Sequence, residues 1–266
     1  MTSNMISKNS WNLNVLICIV LGLSLQQGCE ATRNPLIEPR ILGGHLARPG
    51  QFPYQISLLL QNTHNCGGTI ISSKYVVTAA HCVVYDRPYK KIPVEFLSVR
   101  AGSVSSTSGG QHIAVEDTIP HPDYAPDFSH DIALVKLVKP LEFNAKVSPI
   151  EMASEDPKSG VLVSVSGWGR ISYTGPMSPL LKHHTLVSLD NKDCRKWING
   201  YVPESAICFV GSADNGICNG DSGGPAVYNN QLVGVVSFYQ GKCGYNADGF
   251  ASVAAHLEWL KTNSKE

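Results

Sequence analysis

The chain has 266 residues, 21 of them basic and 21 acidic, for a formal net charge of zero, and 43% of it is hydrophobic. Balanced charge argues against the basic footprint of a nucleic-acid partner, and this apolar share suits one globular unit with a full core rather than a disordered chain.

Residues 15–25 form an apolar run after Lys8. The run is short of the ~20 residues a membrane-spanning helix needs but suits the centre of a secretory leader. Nothing around it has the amphipathic spacing of a buried helix. A signal peptide is expected over residues 1–31, with Cys29 and Ala31 as the small residues before the cut. The mature product is then secreted and extracellular, with no membrane association after signal removal. Residues 32–40, polar and proline-bearing, are expected to be an activation propeptide, and residues 41–266 the functional domain. That domain carries β-type runs at residues 55–60, 74–78, 96–101, 132–137, 161–166, 186–189 and 231–237, separated by Gly, Pro, Asn and Ser. Regular short strands predict an all-β fold. Only residues 253–262 have helical spacing, with Val253, Leu257 and Leu260 on one side and Glu258 and Lys261 on the other. No repeat or low-complexity tract appears.

Of eight cysteines, Cys18 lies in the apolar run and Cys29 near its end. The other six, Cys66, Cys82, Cys194, Cys208, Cys218 and Cys243, form an even set in an exported chain and imply disulfides, although spacing leaves the connectivity open. A zinc site is the competing reading, but there is no CxxC pair and the cysteines are widely spread.

The most informative stretch is Gly220-Asp221-Ser222-Gly223-Gly224-Pro225, a serine on a glycine-rich turn beside an acid. Glycines let such a turn adopt left-handed conformations and aim amide hydrogens at a bound group. A serine hydroxyl is a poor nucleophile at neutral pH. It needs an imidazole to take its proton, and the imidazole needs a buried carboxylate to fix its tautomer. Candidates stand upstream: His81 in Thr78-Ala79-Ala80-His81-Cys82 and Asp131 in Asp131-Ile132-Ala133-Leu134. Of the nine histidines, His112, His183, His184 and His256 read as surface or core residues, and His130, beside Asp131, has no role in the motif.

With Ile41-Leu42-Gly43-Gly44, Cys66-Gly67-Gly68, Gly167-Trp168-Gly169 and Ser237-Phe238, these segments make the chain from Arg40 to the C-terminus resemble the chymotrypsin-fold (S1 family) serine endopeptidases. The resemblance implies two six-stranded antiparallel β-barrels with a short C-terminal helix, His81 and Asp131 on the first barrel and Ser222 on the second, and a cleft between them. It implies the disulfides Cys66–Cys82, Cys194–Cys208 and Cys218–Cys243. It gives the amides of Gly220 and Ser222 the oxyanion, and Ser237 a contact with the buried aspartate. It also implies a zymogen. Cleavage after Arg40 would release the α-amino group of Ile41 to pair with Asp221. Leu42 departs from the usual valine, a mild apolar swap.

Substrate binding falls, by the same resemblance, to Gly216, Ile217, Asn219, Ser237, Phe238, Tyr239, Asp248 and Gly249. Gly216 stands at the pocket floor where trypsin-like members carry an aspartate, so this chain departs from an ordinary trypsin. Tyr239 stands where trypsins and chymotrypsins have glycine. Two registers remain open for the third wall. If Gly249 is the wall glycine the pocket is apolar throughout. If Phe250 aligns with the family's usual aromatic, Asp248 points inward, as in crustacean collagenolytic and some insect gut proteases. The expectation is chymotrypsin- or elastase-like cleavage after apolar residues in a digestive setting, with activation by a separate trypsin-like protease. Protein or peptide substrates and protein protease inhibitors are the expected partners, of a monomer. A cascade protease with a narrow substrate and a non-catalytic homologue acting as a binding protein are the alternatives. No cofactor is expected. Nor is a metal: the calcium loop of some relatives needs carboxylates, and no Asp or Glu lies between Gly102 and Val115.

Overall fold

Alternation writes the strands: Leu97–Ala101 buries Leu97, Val99 and Ala101 and leaves Ser98 and Arg100 partly exposed. The computed structural model describes residues 44–86, 89–198, 201–212 and 215–265. The expected signal peptide, propeptide and the Arg40–Ile41 junction lie outside the described residues. Six strands close on themselves in the order Gln55–Leu60, Thr63–Ile70, Tyr75–Thr78, Ala133–Leu137, Gln111–Pro120 and Leu97–Ala101, the last pairing back onto the first. A second ring runs Lys182–Leu189, Leu162–Gly167, Pro225–Tyr228, Gln231–Tyr239, Asp248–Ser252 and Ala206–Val210, which returns to Lys182–Leu189. Every pairing within the two rings is antiparallel. Closure removes the free edges along which an open sheet would aggregate.

Ile56, Leu58, Val76, Val99 and Leu134 fill the first barrel; Val163, Leu186, Phe209, Ala226 and Phe250 fill the second. Each such side chain contributes about 1.5–3 kcal/mol by leaving water. Leu232, Val235 and Ala251 of the second barrel, and Leu260 of the C-terminal helix Leu257–Asn263, join the first barrel's cluster. This shared apolar seam fixes one barrel against the other, which a cleft shared by both requires.

The three expected disulfides are present, with Cα–Cα distances of 6.2 Å for Cys66–Cys82, 5.8 Å for Cys194–Cys208 and 5.1 Å for Cys218–Cys243. Closing loops of this length stabilises by about 3 kcal/mol each through the unfolded chain.

The structure corrects the secondary-structure reading at two helices and five strands. Residues Asn191–Ile198 form an α-helix that the apolar pattern did not signal. Its start is set by Asp190, whose carboxylate accepts the Asp193 N–H at 2.7 Å, and only Cys194 and Ile198, one turn apart, are buried. The C-terminal helix begins at Leu257, because Ser252 takes up the Ala255 N–H in a turn before it. Strands Thr63–Ile70, Gln111–Pro120, Ala206–Val210, Pro225–Tyr228 and Asp248–Ser252 also escaped the sequence reading. Glycines, prolines and cysteines interrupt their alternation.

Candidate active site

Strand register brings His81 and Asp131 together. Thr78 pairs with Ala133, so the turn Ala80–Cys82 that follows one strand lies over the residues that precede the other. Asp131 is fully buried and accepts three hydrogen bonds: the His81 backbone N–H at 2.9 Å, the His81 Nδ1–H at 2.8 Å, and the Ser237 hydroxyl at 2.5 Å. The Nδ1 bond leaves the His81 Nε2 as the proton-accepting nitrogen. Burial works against the imidazolium, but the Asp131 charge and hydrogen bond outweigh it and raise the His81 pKa above its usual 6.5. Ser237 reaches Asp131 because a β-bulge lies between Val236 and Phe238, where the pairing with Phe250 and Gly249 slips by one residue.

The serine turn sits against the same strand end. Gly67 donates its N–H to the Ser222 carbonyl at 2.7 Å, and a Cβ on Gly223 would fall 2.1 Å from Thr78 Oγ1 and 3.1 Å from the Ala79 nitrogen. Only glycine permits that approach, and its φ of 78° is a second reason. Within the turn, Asp221, Gly223 and Gly224 donate to backbone carbonyls, whereas the amides of Gly220 and Ser222 donate to no acceptor among the described residues. Two unspent amides beside a serine are donors free to meet a negatively charged oxygen.

Asp221 anchors the turn from behind. Its carboxylate accepts the Gly169 N–H at 2.8 Å and the Cys218 N–H at 3.0 Å, and it packs where any Cβ on Gly167 or Gly169 would stand, 2.1 and 2.2 Å away. Burial pushes its pKa up to about 6, against the pull of those two amides and the Lys182 charge.

Comparison with known proteins decides the family. The family model described as Trypsin matches residues 41–260. The chain belongs to the trypsin family. It is 40% identical over 242 residues to the serine protease SP24D of Anopheles gambiae, covering 91% of this chain and 87% of that relative. It is 37% identical over 237 residues to trypsin delta of Drosophila melanogaster, covering 86% and 90%. Among solved structures, neuropsin, a serine protease expressed in the limbic system of mouse brain, superposes with a TM-score of 0.77 at 30% identity, over 84% of this chain and 99% of that one. As a trypsin-family serine endopeptidase, the protein acts on protein substrates.

In this trypsin-family protease Asp248 lies against Gly216 and Ile217. Its carboxylate accepts the Ile217 N–H at 2.9 Å, and a Cβ built on Gly216 would lie 2.8 Å from its Oδ2. Asp248 is 1% exposed, and burial raises its pKa well above the usual carboxylate range. Gly249 instead faces Phe238, whose ring fills the space a Cβ would need. The Tyr239 hydroxyl donates to Asn219 Oδ1, and the Cys218–Cys243 disulfide ties their segments together.

Two residues escaped the sequence reading. His64 donates Nε2–H to the Gly220 carbonyl at 2.9 Å and takes the Ser57 hydroxyl on Nδ1 at 2.7 Å, which turns the Gly220 peptide and so its neighbours' amides. Burial lowers the His64 pKa, so it stays neutral. Its position two residues before Cys66-Gly67-Gly68 was the available signal. Phe128, at a φ of 64°, stands edge-on to His81 at 6.1 Å and 5.4 Å from Phe238, an aromatic shelf beside the imidazole.

Proposed function

We propose that His81, Asp131 and Ser222 hydrolyse peptide bonds as a catalytic triad. The observation that carries this reading is the His81 Nδ1 to Asp131 bond of 2.8 Å beside the serine turn. Ser222 attacks the scissile carbonyl, and its proton passes to His81 Nε2. The carbonyl oxygen, now negative, takes the amides of Gly220 and Ser222, an interaction worth about 3–4 kcal/mol per donor in related sites. His81 gives its proton to the departing amine. Water then repeats the sequence on the acyl-enzyme and frees Ser222. Asp131 holds the tautomer and stabilises the imidazolium throughout.

Activation by a trypsin-like protease cutting after Arg40 fits the surroundings of Asp221. A cavity adjoins that carboxylate, lined by the apolar Val165, Ile217 and Val236 with Gly167 and His184. That space holds about one water, so the surrounding chain would have to open to admit Ile41 and bring its new amine to Asp221. The pairing would exchange a desolvated carboxyl for a charge-assisted bond.

The pocket takes basic as well as apolar side chains. Ile217, Phe238 and Gly249 supply apolar surface, and Asp248 supplies the acid that Gly216 lacks. This weights the specificity toward Lys and Arg more than the sequence-based expectation, and it accords with relatives that bear the name trypsin. A pocket open to both classes suits digestive proteolysis by a secreted monomer, subject to protein protease inhibitors.

The test is a fluorophosphonate probe applied before and after cleavage at Arg40. One label on Ser222 is expected only in the cleaved protein, none in Ser222→Ala, and Arg40→Gln is expected to stay inert. Full labelling of Arg40→Gln would overturn the zymogen reading; no labelling of the cleaved wild type would overturn the triad.

A further inference from the structure

His121, His130 and His256 converge outside the proposed triad. His121 and His130 stack with ring centroids 4.7 Å apart, and His256 stands edge-on to both at 5.2 Å. One ring nitrogen from each lies within 4.8 Å of the others. The three come from separate parts of the fold: His121 after the strand Gln111–Pro120, His130 beside Asp131, and His256 at the foot of the C-terminal helix. Nothing in the peptidase chemistry uses them.

We propose that His121, His130 and His256 hold one transition-metal cation of the zinc class, and that its binding slows the protease through Asp131.

The donor set is prepared for such an ion. His256 is 2% exposed, and its Nδ1–H donates to the Ser252 carbonyl at 2.6 Å. That bond fixes the tautomer with the Nε2 lone pair turned into the cluster, the way a carbonyl orients a metal-ligating imidazole. His130 Nδ1 meets this nitrogen at 3.0 Å. Tetrahedral Zn–N bonds of 2.0–2.1 Å place ligand nitrogens ~3.3 Å apart, so the cluster needs ring rotations rather than backbone rearrangement. Three imidazoles leave the fourth position of a zinc-type ion for water. His130 is partly exposed, which gives the ion a route from solvent.

The connection to catalysis is short. His130 directly precedes Asp131 and has a left-handed backbone, φ 53°, pinned by its N–H to Ser205 Oγ at 2.9 Å. Turning its ring toward an ion strains the peptide that positions the Asp131 carboxylate. A cation held by the cluster competes with the His81 imidazolium for the Asp131 charge, and turnover falls while substrate binding is spared.

The experiment titrates chelator-treated, processed protein with Zn2+ by calorimetry and with Co2+ by visible absorption. Wild type and Ser222→Ala are expected to bind one ion per chain, with a tetrahedral-type Co2+ spectrum. His121→Gln and, separately, His130→Asn are expected to bind at least ~10-fold more weakly. Zn2+ should lower the wild-type kcat with little change in KM. Each variant should keep its own metal-free rate at the same Zn2+ concentration. Unchanged affinity in both variants, or Zn2+ inhibition that persists in them, would overturn the proposal. So would the absence of binding by the wild type. The binding arm reads out whether or not the triad assignment stands, because Ser222→Ala is included.

Discussion

Replacing Asp248 with Asn tests the pocket directly. In the structure this carboxyl is buried, holds one backbone N–H and faces the floor at Gly216. A substrate Lys or Arg entering the pocket forms a buried ion pair with it, and truncating one partner of such a pair costs about 3–5 kcal/mol. Not all of that reaches the transition state. The carboxyl's raised pKa means that part of the pairing energy goes into ionising Asp248 before it can serve a cation. The lower end therefore applies, and ~10²-fold loss in kcat/KM is expected for Arg substrates. For Phe or Leu substrates kcat/KM should change by less than ~3-fold, since apolar contacts are unaltered. The pH dependence is a second signature. Below its raised pKa Asp248 is neutral, so the Arg-to-Phe cleavage ratio in the wild type rises with pH, and in Asp248→Asn it is flat. A matched pair of Arg and Phe peptides, followed from pH 5 to 9, reads both effects. Unchanged Arg cleavage in Asp248→Asn, or a wild-type ratio that ignores pH, would refute the placement of that carboxylate in specificity.

Three further outcomes follow from the same geometry. Gly169→Ala puts a methyl group 2.2 Å from Asp221 Oδ2; expelling that carboxylate from its two amides should cost about 3–5 kcal/mol, read as a lowered midpoint in urea unfolding. In the precursor, Asp221 with its pKa near 6 against 3.8 makes stability fall by ~2.4 kcal/mol as pH rises from 4 to 7, because the unfolded chain ionises first. Asp221→Asn should abolish that slope, and cleavage after Arg40 should reverse its sign. Finally, activity needs neutral His81, so kcat/KM is lost as pH falls through its raised pKa; Asp131→Asn should move this acid limb to lower pH and cut kcat by ~10⁴.

The residues proposed to carry the chemistry stand out because each lies in a short local motif: His81 beside a cysteine, Asp131 ahead of an apolar strand, Ser222 among glycines. Their convergence is set by pairings such as Thr78 with Ala133, which no local pattern encodes. Asp248 shows where legibility ended. Its orientation depends on the bulge at Ser237, which pairs Tyr239 with Asp248 and Phe238 with Gly249, and one residue of slip would put it on the other face. His64 and Phe128 act through contacts with Gly220 and His81, both distant in sequence. The helix Asn191–Ile198 was missed because it buries only Cys194 and Ile198, too few to mark a face.

Kinetics of Ser222→Ala, His81→Ala and the double variant test the central claim most directly. If the hydroxyl and the imidazole act as one unit, each single change should cost about 10⁶ in kcat and the double variant no more than either. Losses that multiply in the double variant would contradict it, since the two side chains would then be working independently.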